Sequence, residues 1–371
     1  MERRGSMLDN GKINTRQLTI LVVLFCLGST ILIVPSSLTS IAKQDGWIAA
    51  IVGIMIGMLM IIIYVKLANR YPEQSLVQFS EWIVGKWAGK LIGLLYFGYF
   101  FILAALVLRN VGDFITTIVM PETPIQAVHL LFLVIIIMGV TLGIEVCART
   151  AEIFFPWILF LIVSLVIFLL PQMKWERIQP VWEVGSNAIV HGSLSVLGIP
   201  YMELVVFLMI YPAVSQQKMA GKAFMKGAMF AGIIIVLITV LCILVLGWDF
   251  TSRHAYPSYT LAKKIHFGEF LQRIEVLMAV IWMLTIFFKL ALCFYVSVLS
   301  LAQVLRLSTY RPLIMPLALN LIVLSLVVYP NLIYFKTFVS EIWVFYALTF
   351  GFVLPALLLM ISSFQKRKGE L

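Results

Sequence analysis

Residues 187–212 read NAIVHGSLSVLGIPYMELVVFLMIYP, and the middle of this stretch decides the fold. The run is apolar enough to cross a membrane, but Leu197-Gly198-Ile199-Pro200 is poor helix. Gly198 lowers helix propensity, while Pro200 has no N–H and clashes with the preceding turn. An unwound turn at membrane depth leaves backbone groups that hydrocarbon cannot satisfy, so it must be packed in protein or line a polar cavity. Glu203, an ionisable group near mid-span, follows three residues on. Taken alone, the stretch is open to two readings: a discontinuous helix whose break holds a small solute, and a proline kink used for packing.

A second interruption favours the first reading. Residues 17–43 read QLTILVVLFCLGSTILIVPSSLTSIAK, where Gly28-Ser29-Thr30 interrupts the apolar run and Pro35 follows. Gly28 and Gly198 lie 170 positions apart, near half the chain. Paired interruptions in corresponding spans of two halves are the sequence mark of an inverted-repeat transporter fold. The expectation is an all-α membrane protein in which the first and sixth spans are both broken.

Composition supports this. Of 371 residues 62% are hydrophobic and 12% charged, and the mean hydropathy is +1.05. Soluble domains are about half apolar and a quarter charged. At about 20 residues per span, ten spans are expected, near 17–43, 47–69, 90–119, 125–148, 150–170, 187–212, 221–247, 271–304, 313–330 and 339–363. They form one transmembrane domain over 1–371, with one repeat over about 17–170 and a second over about 187–363.

The net charge of +10 raises the question of nucleic acid, but the cations fall in loops. With the N-terminus inside, seventeen Lys and Arg lie on the inner side and eight on the outer. This excess places both termini in the cytoplasm and accounts for the charge without a nucleic-acid partner. The polar, basic segment MERRGSMLDNGKINTR reads as an uncleaved cytoplasmic tail. Cys26, Cys147, Cys242 and Cys293 lie in or at the edge of apolar segments without CxxC spacing. The four histidines are scattered, with no HExxH. Neither a disulfide framework nor a metal or cofactor site is expected. No nucleophile–base pattern suggests an enzyme.

Three connecting segments stand out. Residues 72–90, PEQSLVQFSEWIVGKWAGK, read as a short amphipathic helix on the inner surface, with Phe79, Trp82, Trp87, Lys86 and Lys90 suited to an interface. Residues 171–186 lie outside between the halves. Residues 248–270 have the length for a short outer surface helix, serving either as a gate or as plain connecting chain.

Ionisable residues inside a span are functional candidates by default. Arg109 and Asp113, four apart on one face of the third span, read as a structural pair. Glu145, Arg149 and Glu152 straddle the inner junction of the fourth and fifth spans, as a local ion-pair cluster or part of an inner gate. Glu203 and Lys289 differ. At ~1.5 Å per residue both fall near mid-membrane. A lysine there draws in a counter-charge. It pairs with Glu203, meets a ligand carboxylate, or does both in turn. Half-helix ends at the breaks would add N–H groups for a carboxylate and carbonyls for an ammonium, which suits a zwitterionic amino acid. Tyr201, Leu103 and Cys293 are placed to close the side-chain end of such a pocket.

Several stretches together carry a family resemblance: LGSTILIVP (27–35), DGW (45–47), GKWAGKLIGLLYFGYF (85–100), TPIQ (123–126), GIEVCARTAEIFFP (143–156), IPYMELVVFLMIYP (199–212) and RIEVLMAVIW (273–282). In their order and spacing the chain resembles the B subunit of spore germinant receptors, a branch of the amino acid–polyamine–organocation transporter superfamily. The resemblance implies a LeuT-like fold of two inverted five-helix repeats. It implies a sensor of a nutrient germinant, often an amino acid, in the inner membrane of a bacterial endospore. A and C partner subunits and a response that releases ions from the spore core are implied too. By the same matching the pocket would include Gly28, Ser29, Thr30, Leu103, Tyr201, Glu203, Lys289 and Cys293, with Gly198 at the break. The chain departs from the family pattern in having Gly-Ser-Thr where relatives commonly have Gly-x-Gly, and a lysine at 289 where they carry a small polar residue. The competing expectation is a proton- or sodium-coupled amino-acid permease.

Overall fold

A computed structural model describes residues 11–264 and 275–369. Residues 1–10 of the tail, the end of the 248–270 loop and the first residues of the eighth span lie outside the described residues. The long helices are α1 (Thr15–Ala42), α2 (Gly46–Arg70), α4 (Lys86–Phe114), α5 (Ile125–Leu142), α6 (Ile144–Leu169), α9 (Gln217–Leu246), α12 (Glu275–Val304) and α13 (Ile314–Val327). The sixth span is pieced together from α7 (Gly185–Val196), two non-α turns and α8 (Phe207–Ile210). The tenth is α14 (Leu332–Phe338), α15 (Val344–Leu348) and α16 (Leu354–Gly369), joined by π-turns at Val339–Trp343 and Thr349–Val353. Short helices complete the set: α3 (Leu76–Val84), α10 (Trp248–Arg253) and α11 (Pro257–Lys263).

Among the described residues eight helical stretches are long and apolar enough to cross a membrane. The first, Thr15–Arg70, holds both α1 and α2, and the apolar stretch Arg311–Val327 is shorter. Dividing the one and including the other gives the ten spans expected. The outer faces are apolar at helical spacing. Ile153, Trp157, Phe160 and Ile167 of α6 are exposed on one side, as are Ile51, Met55 and Leu59 of α2. One span boundary moves: Gly143, at φ +90°, ends α5 and starts α6, so Glu145, Cys147 and Arg149 all belong to α6.

Two spans form the centre. Every residue from Ile20 to Ser36 of α1 is buried, and so is every residue from Val196 to Val214. The sixth span breaks where the sequence places the break. Ile199 is extended (φ −136°, ψ 109°), a cis peptide joins it to Pro200, and the chain resumes as a 3₁₀ turn over Met202–Val206.

The first span does not break. α1 runs unbroken through Gly28-Ser29-Thr30 and through Pro35. The expectation of an unwound turn there is corrected, and the reason is a tertiary bond. Pro35 cannot donate to the Ile31 carbonyl, one turn back. Ser258 of α11 donates to it instead, at 2.6 Å. The deficit that would open the helix is thus filled from another part of the chain. Thr39 Oγ1 closes the turn beyond by donating to the Pro35 carbonyl at 2.8 Å.

This bond also corrects the reading of residues 248–270 as a surface helix. The described part, 248–264, forms α10 and α11, and α11 is largely buried at Pro257, Ser258, Tyr259, Leu261 and Ala262, wedged against α1, α9 and α12. α3 is amphipathic, but it is shorter than the expected helix over 72–90: it ends at Val84, Gly85 takes φ +88°, Lys86, Trp87 and Lys90 open α4, and Phe79, expected at the interface, is buried. Ser75 and Gln78 form its capping box, Leu76, Val77, Phe79 and Ile83 are buried, and Trp82 is exposed.

At the end nearest the N-terminus, Ile13 forms a parallel bridge to Val214, directly after the broken span. Gln17 Nε2 donates to Glu152 at 3.1 Å, Arg16 pairs with Glu152 at 3.4 Å, and the Lys12 amide donates to Glu145 at 3.3 Å. Of the expected cluster, Glu145 and Arg149 pair within α6 at 2.7 Å. Glu152 holds the N-terminal segment instead.

Candidate ligand-binding site

The sixth-span break carries Glu203 in its first turn after Pro200, and α12 brings Lys289 to it. Lys289 Nζ donates to Glu203 Oε2 at 2.6 Å, with side chains 0% and 2% exposed. Both charges are removed from water, so neither is stable there without the other. Gly28 lets them meet. A Cβ on Gly28 would stand 2.8 Å from Lys289 Cβ and 3.1 Å from the Thr285 carbonyl. The absence of a side chain is what allows α12 this close to α1. The ammonium also lies over the Phe25 ring, 5.1 Å from its centroid. Cys26 and Cys293 are buried within electrostatic reach of both charges.

The other expected residues divide. Ser29 and Thr30 are buried on α1, and Thr30 Oγ1 is engaged with the Cys26 carbonyl of its own helix. Gly198 faces the tenth span, where an added Cβ would lie 3.1 Å from Val344 Cγ2. Leu103 is buried on α4, one turn beyond Tyr99. Tyr201 is turned toward α2 and α9. Its ring occupies the space beside Gly57, and its hydroxyl donates to the Ala228 carbonyl at 3.0 Å.

Three aromatic residues not singled out in the sequence complete the surroundings. Tyr64 of α2 donates its hydroxyl to the Gly351 carbonyl and lies 3.4 Å from the Met202 carbonyl. It therefore serves backbone oxygens that the irregular sixth and tenth spans leave open. Trp343, at the end of a π-turn, faces the Glu203 carboxylate, yet its Nε1 closes on no hydrogen-bond acceptor among the described residues. Tyr99 of α4 stacks on Trp343 with centroids 5.8 Å apart and an interplanar angle of 9°; its hydroxyl is likewise unpartnered. Nothing in hydropathy or spacing marks these rings, since aromatic residues fill spans throughout the chain.

Arg109 and Asp113 form a separate buried group. Arg109 Nε donates to Asp113 Oδ1 at 3.0 Å, and its Nη1 donates to the Leu326 carbonyl at 2.9 Å. Tyr329 donates to Asp113 Oδ2 at 2.6 Å and lies under the guanidinium, 4.9 Å from ring centroid to Cζ. The pair therefore fastens the C-terminal end of α13, where free carbonyls favour a cation. The pairing is the one the spacing predicts.

Comparison with known proteins places these features in context. A family model described as spore germination protein matches residues 12–337. Spore germination protein KB of Bacillus subtilis (strain 168) is 29% identical over 370 residues, covering 98% of both chains. Among solved structures, MhsT in complex with L-phenylalanine superposes with a TM-score of 0.67 at 13% identity, over 95% of this chain and 98% of that one. The nucleobase-cation-symport-1 family transporter Mhp1, closed with bromovinylhydantoin bound, gives 0.62 at 16% identity, over 94% and 78%. At these identities the structural likenesses establish the fold, that of LeuT-type transporters.

Proposed function

Given that this chain belongs to the spore germination protein family, we propose that it is the ligand-sensing subunit of a germinant receptor and that its ligand is an amino acid. The observation that carries this reading is the sealed Lys289–Glu203 pair beside the sixth-span break. A buried pair is a poor source of stability, because desolvation offsets the attraction. Intramembrane charges of this kind are characteristic of ligand and ion pathways. The ammonium and carboxylate of an amino acid are the groups that such a pair exchanges with. Ligand lodges between the break and the unbroken α1, against Gly28, Gly198, Glu203, Lys289 and Cys293.

In this reading the chain is one transmembrane domain of two five-span repeats, about 17–170 and 187–363. It sits in the spore inner membrane with both termini cytoplasmic and works with A and C subunits. Ligand binding triggers the release of ions from the core. The second reading, a proton- or sodium-coupled amino-acid permease, is favoured by the fold shared with transporters.

Reconstitution of the purified chain in liposomes separates the two. Saturable binding of radiolabelled amino acids without uptake supports the sensor. Robust uptake without other subunits supports the permease. Absence of binding by any amino acid counts against both.

A further inference from the structure

Far from the Lys289–Glu203 pair, cations gather at one end of the bundle without acids to meet them. Thr19 of α1 donates to the Ala223 carbonyl of α9 at 3.1 Å, and Lys43, just past α1, lies over Trp248, just past α9. The two helices therefore run the same way, and α9 ends at Leu246 on the face opposite the N-terminus. Beyond it lies a cavity of about 380 Å³. Lys174, Arg177, Lys264 and Gln172 line it, with apolar side chains from the corner between α9 and α10. The acids nearby are engaged elsewhere. Asp45 accepts from the Trp182 and Val184 amides at 2.8 and 3.4 Å, Glu183 accepts from Gln44, and Asp249 pairs with Arg253 at 2.7 Å. Among the described residues no carboxylate forms an ion pair with Lys174, Arg177 or Lys264. Arg177 has one structural task. Its Nη1 donates to the Leu244 and Val245 carbonyls, at the end of α9 where a cation is favoured. The Lys174 amide pins the same segment by donating to the Leu244 carbonyl at 3.1 Å. The two exposed lysine side chains add charge that this helix end does not need.

We propose that this cavity binds a phosphate group, carried by the headgroup of an anionic phospholipid or by free phosphate. Arg177 keeps N–H groups beyond those on the carbonyls, and a guanidinium fork suits phosphate oxygens. Lys174 and Lys264 supply two point charges from the other segments of the rim, and Gln172 supplies an amide for an ester oxygen. Depth favours the lipid. Trp175, next to Lys174 on the same short turn (Trp175–Ile178), is 67% exposed, and exposed tryptophans of a membrane protein mark the bilayer surface. That is the level at which lipid phosphates lie. A phosphate held there bridges the loop between α6 and α7 to the end of α11, the helix whose Ser258 bonds to α1.

The test is thermal shift of the purified full-length chain in an uncharged detergent, titrated with short-chain phosphatidylglycerol, short-chain phosphatidylcholine or inorganic phosphate. Phosphatidylglycerol raises the melting temperature, and phosphatidylcholine, whose own ammonium is repelled by the three cations, does so far less. A rise with phosphatidylglycerol alone identifies the lipid as the source, and an equal rise with inorganic phosphate identifies the free ion. The double variant Lys174→Gln, Lys264→Gln removes two exposed charges and no packing. Its melting temperature without additive stays level, while the concentration giving half the shift rises roughly tenfold, as expected for two exposed charge contacts. Lys174→Gln alone, with a roughly threefold rise, decides the matter if the double variant does not fold. The proposal is overturned if neither phosphatidylglycerol nor phosphate shifts the chain, if phosphatidylcholine matches phosphatidylglycerol, or if the variants respond as the unsubstituted chain does.

Discussion

Ser258 Oγ on α11 donates to the Ile31 carbonyl of α1 at 2.6 Å, the bond that Pro35 cannot make. It keeps a helix that is buried along most of its length unbroken at the position where proline would open it. Ser258→Ala leaves that carbonyl unmet in a dry interior, and a loss of ~1–3 kcal/mol is expected. The cause is checked by a second substitution. Pro35→Ala restores an N–H within α1, so Ser258→Ala costs much less in that background. Thermal unfolding of the four variants in detergent gives the coupling. An equal loss in both backgrounds would show that the serine acts through packing.

This relationship explains why one break was legible in the sequence and the other was misread. Gly198 and Pro200 act on their own backbone, so local propensity settles the turn. Pro35 carries the same local signal, but its remedy comes from Ser258, 227 positions from the Ile31 carbonyl that it serves. Gly28-Ser29-Thr30 interrupts hydropathy without interrupting helix, and Gly28 serves close approach to Lys289 rather than unwinding. Glu203 and Lys289 were legible because charge inside a span is rare and each needs a partner. Tyr99 and Trp343 were not, since an unpartnered polar atom on a ring exists only once the chain is packed.

Gly28→Ala sets two effects against each other. Alanine favours helix over glycine by up to ~1 kcal/mol. The new Cβ, however, meets Lys289 Cβ at 2.8 Å and the Thr285 carbonyl at 3.1 Å, neither of them the free end of a side chain. Overpacking of this kind costs ~1–3 kcal/mol. A net loss of stability is expected, visible as a lower melting temperature. A rise would mean that α1 and α12 do not pack this closely.

Arg109→Met should be among the more damaging single changes in the chain. It strips Asp113 of its partner and uncaps the end of α13 at the Leu326 carbonyl. Removing one member of a buried pair typically costs ~3–5 kcal/mol. Arg109→Lys keeps the charge but not the fork, so it recovers only part of the loss. If this group serves only to fasten helices, the stability lost in Arg109→Lys leaves the affinity for amino acid unaltered. A variant of normal stability and altered affinity would instead assign Arg109 to the ligand route.

The Glu203–Lys289 pair can be tested as a unit. Lys289→Met leaves a buried carboxylate without its cation, and a loss of ~3–5 kcal/mol is expected. Glu203→Gln in the same chain removes the stranded charge, and methionine fills much of the lysine's volume. The double variant should therefore regain most of that stability. What it should not regain is ligand response. Ligand at a hundred times its dissociation constant stabilises the native state by ~2.7 kcal/mol, and that increment should vanish in the double variant while the fold stands. A purely structural salt bridge gives the opposite pattern: stability regained and the ligand increment intact. Measuring the melting temperature with and without amino acid in all four chains reads both quantities at once.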